Sequence, residues 1–544
     1  MTGAPGKRRF RICVRGTCVM MQPTTLATKG KLPAHPAAPL LAVAVIWALE
    51  LFVFQAVSFR FDYPVPAVKR IGAVGIRLAL DLAFCTGWVF LMPRFLTAAA
   101  FAAFLLFTQV AGYYQAVFGR VLSLTTMRAQ WAEGVAGARF DVGYIAAGAL
   151  LLLSATLVLK LWLLHRAAGV RRRRTALRAW AFYFALLAVA MGRVDPPRKL
   201  RTFVAPGRFG MTYGFLPLWA SEAVMLDREH LLREAIAQRA RVTDRLSAIE
   251  PLPPLEGDVV LLQVESLDWR VLHHRVDGRP VTPFLDRLAD EAMVFTVTAF
   301  HANGSGDTDF VMLNAVPPSP SVMTYTLGRY PYADTLPQRA ARRGYTPVAL
   351  HGNSGDFFSR RRTFQRMGFA QTLFLEEMRG TFGLTPGLWG IRDDAVLALS
   401  RKLLAERSPR ERQLHYLITL TSHQPFIYLE ADQHTFLPRG DDLLSRYYNS
   451  IHFVDRQLES YIGGLPEGTL VFLFGDHCAM VAIGDTPPAA PERVPFLIHS
   501  VGRRLAERQV SRDQPIARSG ELTILDAASY VHRLFAQEAM RKEK

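Results

Sequence analysis

Cysteine is scarce in this sequence, and its placement decides what the chain cannot do with it. Of the four cysteines in 544 residues, Cys13 and Cys18 precede the first long apolar stretch, Cys85 lies inside one, and only Cys478 falls in the distal half. That half therefore closes no internal disulfide, and cysteine usage leaves its redox compartment open. Acidic residues are also outnumbered, 46 against 64 Lys and Arg, for a formal charge of +18. Such a balance can mark a nucleic-acid binder, but the interleaving of aromatic and basic residues that grips single strands is missing. The basic residues gather instead at Lys7 to Arg15 and Arg171 to Arg174. A membrane surface accounts for them, and no nucleic-acid partner is expected.

What is abundant is apolar: half of all residues, unevenly spread. Crossing a hydrocarbon core of about 30 Å takes roughly 20 residues of helix. Five segments meet that length: Leu40 to Phe59, Ile71 to Met92, Leu96 to Ala116, Val142 to Leu164 and Leu177 to Val194. The first carries Glu50 and the second Arg77 and Asp81, one helical turn apart, so these charges are expected to face the bundle interior, Arg77 and Asp81 as a self-neutralising pair. Lys7, Arg8, Arg9, Arg11, Arg15, Lys29 and Lys31 before the first segment, and Arg166 with Arg171 to Arg174 between the fourth and fifth, put both loops in the cytoplasm. An odd number of spans then places everything after Val194 on the other side. The leader is too polar, and its first apolar stretch too distant, for a cleaved signal peptide. The expected division is a basic leader (1–37), a five-helix transmembrane bundle (38–194), linker helices (195–254) with a charged, solvated run from Leu226 to Ile249, and an α/β domain (255–544).

In that last unit, Val259 to Val264 is a continuous apolar run of the kind a parallel strand buried on both faces requires, and the first polar residue after it is Glu265. Leu470 to Phe474 repeats the pattern and runs into Gly475, Asp476 and His477; Pro347 to Leu350 runs into His351, and Tyr416 to Thr421 toward His423. Helical patterns lie between, at Pro283 to Ala292, Asp334 to Arg343, Asp393 to Leu404 and Leu443 to Tyr461. Ligands of open parallel sheets bind beyond the carboxyl ends of the strands. One histidine there would be an ordinary loop residue, but four strands delivering Glu, Asp or His to that edge predict a site. Glu265, Asp476 and His477 form an oxygen-and-imidazole set suited to a divalent cation without any thiolate, and Cys478 is expected to be a small buried filler. In His301-Ala-Asn-Gly-Ser-Gly-Asp-Thr-Asp-Phe310, two glycines flank Ser305 ahead of a helical apolar spacing, so Ser305 is expected at a helix N-terminus, where free N–H groups favour phosphate.

These segments together resemble the lipoteichoic acid synthase and phosphoglycerol transferase group of the alkaline phosphatase and sulfatase superfamily. Val264-Glu265-Ser266-Leu267 is similar to the family's first metal-ligand motif and Gly475-Asp476-His477 to its last. Asn303 to Phe310, with Asn314, is similar to the segment bearing its nucleophile. Aligning on the acidic residue, the Phe and the Asn puts Ser305 at the nucleophile position, with Thr308 as the second candidate. His351-Gly-Asn-Ser-Gly-Asp-Phe-Phe-Ser-Arg360 resembles the headgroup-binding segment, which by position gives His351, Asn353, Phe358 and Arg360; Asn353 and Phe358 stand where Asp and Trp are usual. Thr419 to Phe426 resembles the segment supplying His423, and Tyr447 to Asp455 the helix before the last catalytic strand.

The resemblance implies an alkaline-phosphatase-like α/β domain, its mostly parallel sheet flanked by helices, attached to the transmembrane bundle. It implies one divalent metal, Mn²⁺ first with Mg²⁺ or Zn²⁺ as alternatives, held by Glu265, Ser305, Asp476 and His477. Substrate would be bound by His351, Asn353, Phe358, Arg360 and His423. The expected reaction moves a phosphoglycerol-type headgroup from a phospholipid to a glycan or lipid acceptor through phospho-Ser305. Phosphoethanolamine transfer, hydrolysis by the same chemistry, and headgroup binding without turnover are the competing readings. A sulfatase is disfavoured, because no Cys or Ser followed by x-Pro-x-Arg stands at the nucleophile. Alanine and arginine richness suggests a bacterial inner membrane with the catalytic domain in the periplasm.

Overall fold

A computed structural model describes residues 12–14, 17–19, 37–58, 67–104, 107, 124, 147–167, 172–192, 213–225, 228–249, 253–505 and 522–536, the 253–505 stretch omitting 302–303, 321, 388–389, 425, 441, 480, 484–491 and 504. Most of the basic leader, the third apolar segment beyond residue 107 and residues 195–212 lie outside the described residues.

Helices Ala38–Ser58, Ala67–Leu91, Arg94–Phe104, Ala147–Arg166 and Arg173–Gly192 each overlap one of the five apolar segments. Among the described residues, one helix, Val74–Leu91, is long and apolar enough to cross a membrane by length and composition; Ala38–Phe54 and Arg94–Phe104 are shorter apolar helices. The last helix begins at Arg173, four residues before the expected segment, and carries Arg174 and Arg178 in its first turns. Arg77 and Asp81 do pair, at 3.4 Å and almost fully buried. Glu50 finds a partner that local spacing could not supply: Lys160, which is 110 positions away and stacks its ammonium 4.6 Å from the Phe101 ring centroid. Both charges are thereby compensated inside apolar packing, where an unpaired one would be costly.

The expected run from Leu226 to Ile249 divides into Arg228–Ala237 and Leu246–Ile249, preceded by Phe215–Met225. Glu229 and Arg233 face solvent as expected, whereas Leu231, Ala235 and Leu246 are buried in the distal domain's core. Arg245 bonds Asp526 at 2.8 Å and Arg533 bonds Asp244 at 2.9 Å, tying this segment to the C-terminal helix Ile524–Leu534. The helices read as a linker are in part a wall of the distal domain.

The distal sheet has seven strands: β1 Val259–Val264, β2 Met293–Thr298, β3 Tyr345–His351, β4 Gln371–Leu373, β5 Arg412–Ile418, β6 Leu470–Gly475 and β7 Arg493–Ser500, in the order β2-β7-β6-β1-β5-β3-β4. β6, β1, β5, β3 and β4 are parallel neighbours, while β7 runs antiparallel between β6 and β2. The side-chain period of two explains the largely apolar run in β1. Val259 and Leu261 join one core, Val260, Leu262 and Val264 the other, and helices cover both. The exception is Gln263, fully buried, whose amide bonds Asp309 at 3.0 Å and accepts from Tyr416 at 2.6 Å. In register, Gly475 lies opposite Val264 and His351 opposite Ile418, so Glu265, Asp476, His351 and the residues after β5 emerge at one edge.

Candidate active site

Three side chains from two strand ends meet first. One ligand atom each from Glu265, Asp476 and His477 lies within 4.8 Å of the others, and all three residues are buried. Backbone bonding fixes them. Asp476 Oδ1 accepts from the Ser266 and His477 amides at 2.8 Å each. The Glu265 amide donates to Thr419 Oγ1 at 2.8 Å, and Ser422 Oγ donates to the Glu265 carbonyl at 2.6 Å. His477 Nδ1 sits 2.8 Å from the Cys478 carbonyl, which turns Nε2 to within 2.9 Å of Glu265 Oε1. Cys478 itself is buried, its thiol donating to the Arg493 carbonyl at 2.9 Å.

The charges of this cluster act strongly on one another. Burial raises the Asp476 carboxyl well above its ordinary range and the Glu265 charge raises it further. Burial would also raise Glu265, but the charges of His423 and His477, with hydrogen bonds, outweigh it and hold the carboxyl far below its ordinary range. Burial would lower His477, yet the Asp476 and Glu265 charges raise it to about 10. Asp476 Oδ2 is buried without a hydrogen bond. Two adjoining carboxylates, an orphaned carboxylate oxygen and an imidazole fit a hard or borderline divalent ion.

Ser305 stands at the N-cap of helix Gly306–Asn314, half-buried and with no side-chain capping bond. Both flanks of Ser305 touch the Asp476–His477 turn. Upstream, the His301 ring stacks on His477 at 4.0 Å between centroids and 7° between planes. Downstream, the Thr308 hydroxyl, fully buried, lies 2.9 Å from the Asp476 carbonyl and 3.1 Å from that of Phe300. Thr308 is thus occupied as a brace, which favours Ser305 of the two nucleophile candidates. The flanking glycines have a steric cause. Gly304 has φ +108°, and a Cβ there would meet the Phe358 ring at 3.0 Å; a Cβ on Gly306 would meet the Met323 sulfur at 2.9 Å. Phe358 therefore lies against the Ser305 turn, held in the left-handed region at φ 53°. For a bulky residue that is strained backbone of the sort that gathers at functional sites. Ser266, Ser359 and Phe426, at φ 54°, 58° and 64°, share it.

Arg360, expected among the substrate-binding residues, already has one edge engaged. Its guanidinium is 2% exposed, with Nε bonded to Asp309 Oδ2 at 2.7 Å and Nη2 3.4 Å from Oδ1. One edge is thus taken by a carboxylate on the helix that Ser305 caps, and Nη1 points toward His351 Nε2 at 3.4 Å. His351 Nδ1 lies 2.9 Å from the Ile418 carbonyl. Burial, then the Arg360 charge, lowers its pKa to about 3, so it is a neutral imidazole. His423 Nδ1 is 2.6 Å from the Gln424 carbonyl, and its charge bears on both Glu265 and His351. Asn353 bonds within its own loop and to a residue just after β4: Oδ1 accepts from the Ser354 amide at 2.7 Å and the carbonyl from the Leu375 amide at 3.0 Å. Sequence reading missed His301 paired with Glu492 at 3.3 Å and Asp309 as the partner of Arg360. Both His301 and Asp309 lay inside the quoted glycine-rich segment. His301, His477 and Glu492 could also hold a cation, but that set shares His477 with the first.

The buried titratable groups predict how stability follows pH. Burial lowers His351, His415 and His532 to about 3, and lowers His274, His452 and His499 in the same direction. These contribute stability that is present above about 6.5 and lost as pH falls toward the folded values. Burial raises Asp393 and Asp455 to about 7, and their contribution runs the other way, complete below about 4 and lost as pH rises through 7. The histidines are the larger set, so the thermal midpoint should fall as pH drops from 6.5 to 4, as circular dichroism of the metal-loaded protein would record.

Residues 257–522 match the sulfatase family model. Lipoteichoic acid synthase 2 of Bacillus subtilis (strain 168) is 26% identical over 275 residues, covering 45% of this chain and 41% of that protein. Lipoteichoic acid synthase of Staphylococcus saprophyticus is 26% identical over 237 residues, covering 40% and 35%. The match thus spans less than half the length of these curated relatives. Among solved structures, the integral membrane protein lipooligosaccharide phosphoethanolamine transferase A of Neisseria meningitidis shares the fold, with a TM-score of 0.54 over 86% of this chain and 89% of its own at 15% identity. Residues 257–522 thus carry a sulfatase-type domain, similar to those of the alkaline phosphatase and sulfatase superfamily. Within it, the chain is lipoteichoic acid synthase-like.

Proposed function

We propose that this protein is a membrane-anchored phosphotransferase that moves a phosphoglycerol-type headgroup from a phosphatidylglycerol-like lipid to a glycan or lipid acceptor through a phosphorylated Ser305. The observation that carries this reading is the convergence of Glu265, Asp476 and His477 within 4.8 Å, beside a helix N-terminus capped by Ser305. A divalent cation held by these four residues would lower the hydroxyl pKa of Ser305 and offset charge on the phosphoryl oxygens. Mn²⁺ is the first candidate, with Mg²⁺ and Zn²⁺ next.

Ser305 Oγ attacks phosphorus; the P–O bond to diacylglycerol breaks, and the diacylglycerol oxygen takes up the proton the serine released. An acceptor hydroxyl then attacks the same phosphorus, and the Ser305 oxygen leaves and regains a proton. Arg360, fixed along one edge by Asp309, offers Nη1 to the phosphate beside neutral His351, while His423 faces it from the loop after β5. The helix N-terminus adds backbone N–H groups. Positioning and charge neutralisation supply most of the catalysis in such transfers. The five apolar segments would hold this domain on the periplasmic face of a bacterial inner membrane, next to its donor, with the amino terminus in the cytoplasm.

The test incubates the purified full chain with headgroup-labelled phosphatidylglycerol or phosphatidylethanolamine and Mn²⁺. Label from phosphatidylglycerol should appear on the protein together with free diacylglycerol, and should move to an added periplasmic-type glucan. Label from phosphatidylethanolamine alone would make the protein a phosphoethanolamine transferase; release into water that the glucan leaves unchanged would make it a hydrolase. Headgroup binding without diacylglycerol release would make it a sensor.

A further inference from the structure

The segment just before helix Asp393–Glu406 touches both histidine-bearing loops of the site, and nothing in the mechanism above uses it. Asp393, 1% exposed, accepts the Leu420 amide on Oδ1 at 2.7 Å and the Thr421 amide on Oδ2 at 2.8 Å, while its own amide donates to Thr421 Oγ1 at 3.3 Å. These bonds hold the backbone two and three residues before His423. From the same loop, Thr419 and Ser422 bind the amide and carbonyl of Glu265. Two residues upstream of Asp393, the Ile391 amide donates to the Gly352 carbonyl at 2.9 Å, immediately after His351. The approach is close enough that a Cβ on Gly352 would overlap the Ile391 carbonyl, and one on Gly390 would overlap the Gly352 carbonyl.

We propose that Asp393 is a positioning residue, which fixes the loop bearing His423 relative to the loop bearing His351 and so sets the width of the headgroup pocket. A fully buried carboxyl group receiving two backbone N–H bonds is a directional restraint, and removing either acceptor leaves an amide buried without a partner. Asp393 touches no substrate, so its effect passes through the position of His423. The inference rests on the reading of His351 and His423 as headgroup ligands.

Asp393→Asn keeps the shape but sets an N–H₂ group against one of the two amides. Hydrogen exchange at Leu420 and Thr421 in the full-length protein should speed by about tenfold, the equivalent of one buried hydrogen bond. The KM for the lipid donor should rise by a similar factor, while Mn²⁺ affinity and the extent of Ser305 labelling at saturating donor stay near wild type. Thr421→Val, which removes the hydroxyl that bonds Asp393 but keeps the Thr421 amide on its carboxyl, should show the same pattern more weakly. Unchanged exchange at Leu420 and Thr421 in a folded Asp393→Asn protein would overturn the proposal, as would faster exchange with an unchanged KM. If the wild-type chain forms no phospho-enzyme, the transferase reading fails instead, and the exchange measurement still decides whether Asp393 holds the loop.

Discussion

Replacing Ser305 by alanine should lower headgroup transfer by about three orders of magnitude or more, the usual cost of removing a covalent nucleophile. The fold and the metal-ligand cluster should survive, because the Ser305 side chain makes no capping bond and the helix it precedes is braced by Thr308 on the Asp476 carbonyl. The measurement is donor turnover with diacylglycerol as the product, alongside a Mn²⁺ titration. Thr308→Val should act in the opposite sense: it removes a brace from a buried site, so stability and cation affinity should fall before the phospho-enzyme is lost. Comparing the two variants separates the nucleophile from the residue that holds its helix.

The second large effect belongs to Asp309. Its carboxylate is the counter-charge of Arg360, both almost wholly buried, and the same oxygen that meets Arg360 Nη2 accepts from Gln263 in the central strand. Asp309→Ala leaves a guanidinium in the core without a partner, which should cost about 3–5 kcal/mol of stability, seen as a lower midpoint in chemical or thermal unfolding. A double variant, Asp309→Leu with Arg360→Met, should recover most of that stability, since a buried pair replaced by apolar residues of similar volume is often neutral. Activity should not return with it, because the edge that would face the phosphate is gone. Recovery of both would reduce Arg360 to a structural ion pair.

The parts of this arrangement that were legible in the sequence are those written locally. β1 runs from Val259 to Val264 as its largely apolar stretch required, and the polar residue that follows it is Glu265. The same logic located Asp476 and His477, and the glycines around Ser305 marked a turn at which side chains are excluded, here by Phe358 and Met323. What was not legible depends on partners distant in the chain. Glu50 gave no sign of Lys160, and nothing beside Arg360 said that one of its edges was taken by the helix that Ser305 caps. Left-handed backbone at Ser266, Phe358, Ser359 and Phe426 leaves no mark either, because these residues adopt it only under surrounding packing. The antiparallel strands β2 and β7 were not foreseen, since neither ends in a chemically telling residue. Arg228–Ala237 looked like a solvated linker because its charges are evident; that Leu231 and Ala235 join the distal core depends on partners far along the chain.

The account stands on a serine oxygen working at the Glu265, Asp476 and His477 cluster, and peptide mass mapping of the enzyme quenched during turnover with phosphatidylglycerol and Mn²⁺ tests it most directly. The account predicts a glycerophosphate adduct on the peptide containing Ser305, lost in Ser305→Ala and absent after chelation. An adduct on Thr308 or any other side chain, or one that forms undiminished without a divalent cation, would contradict it.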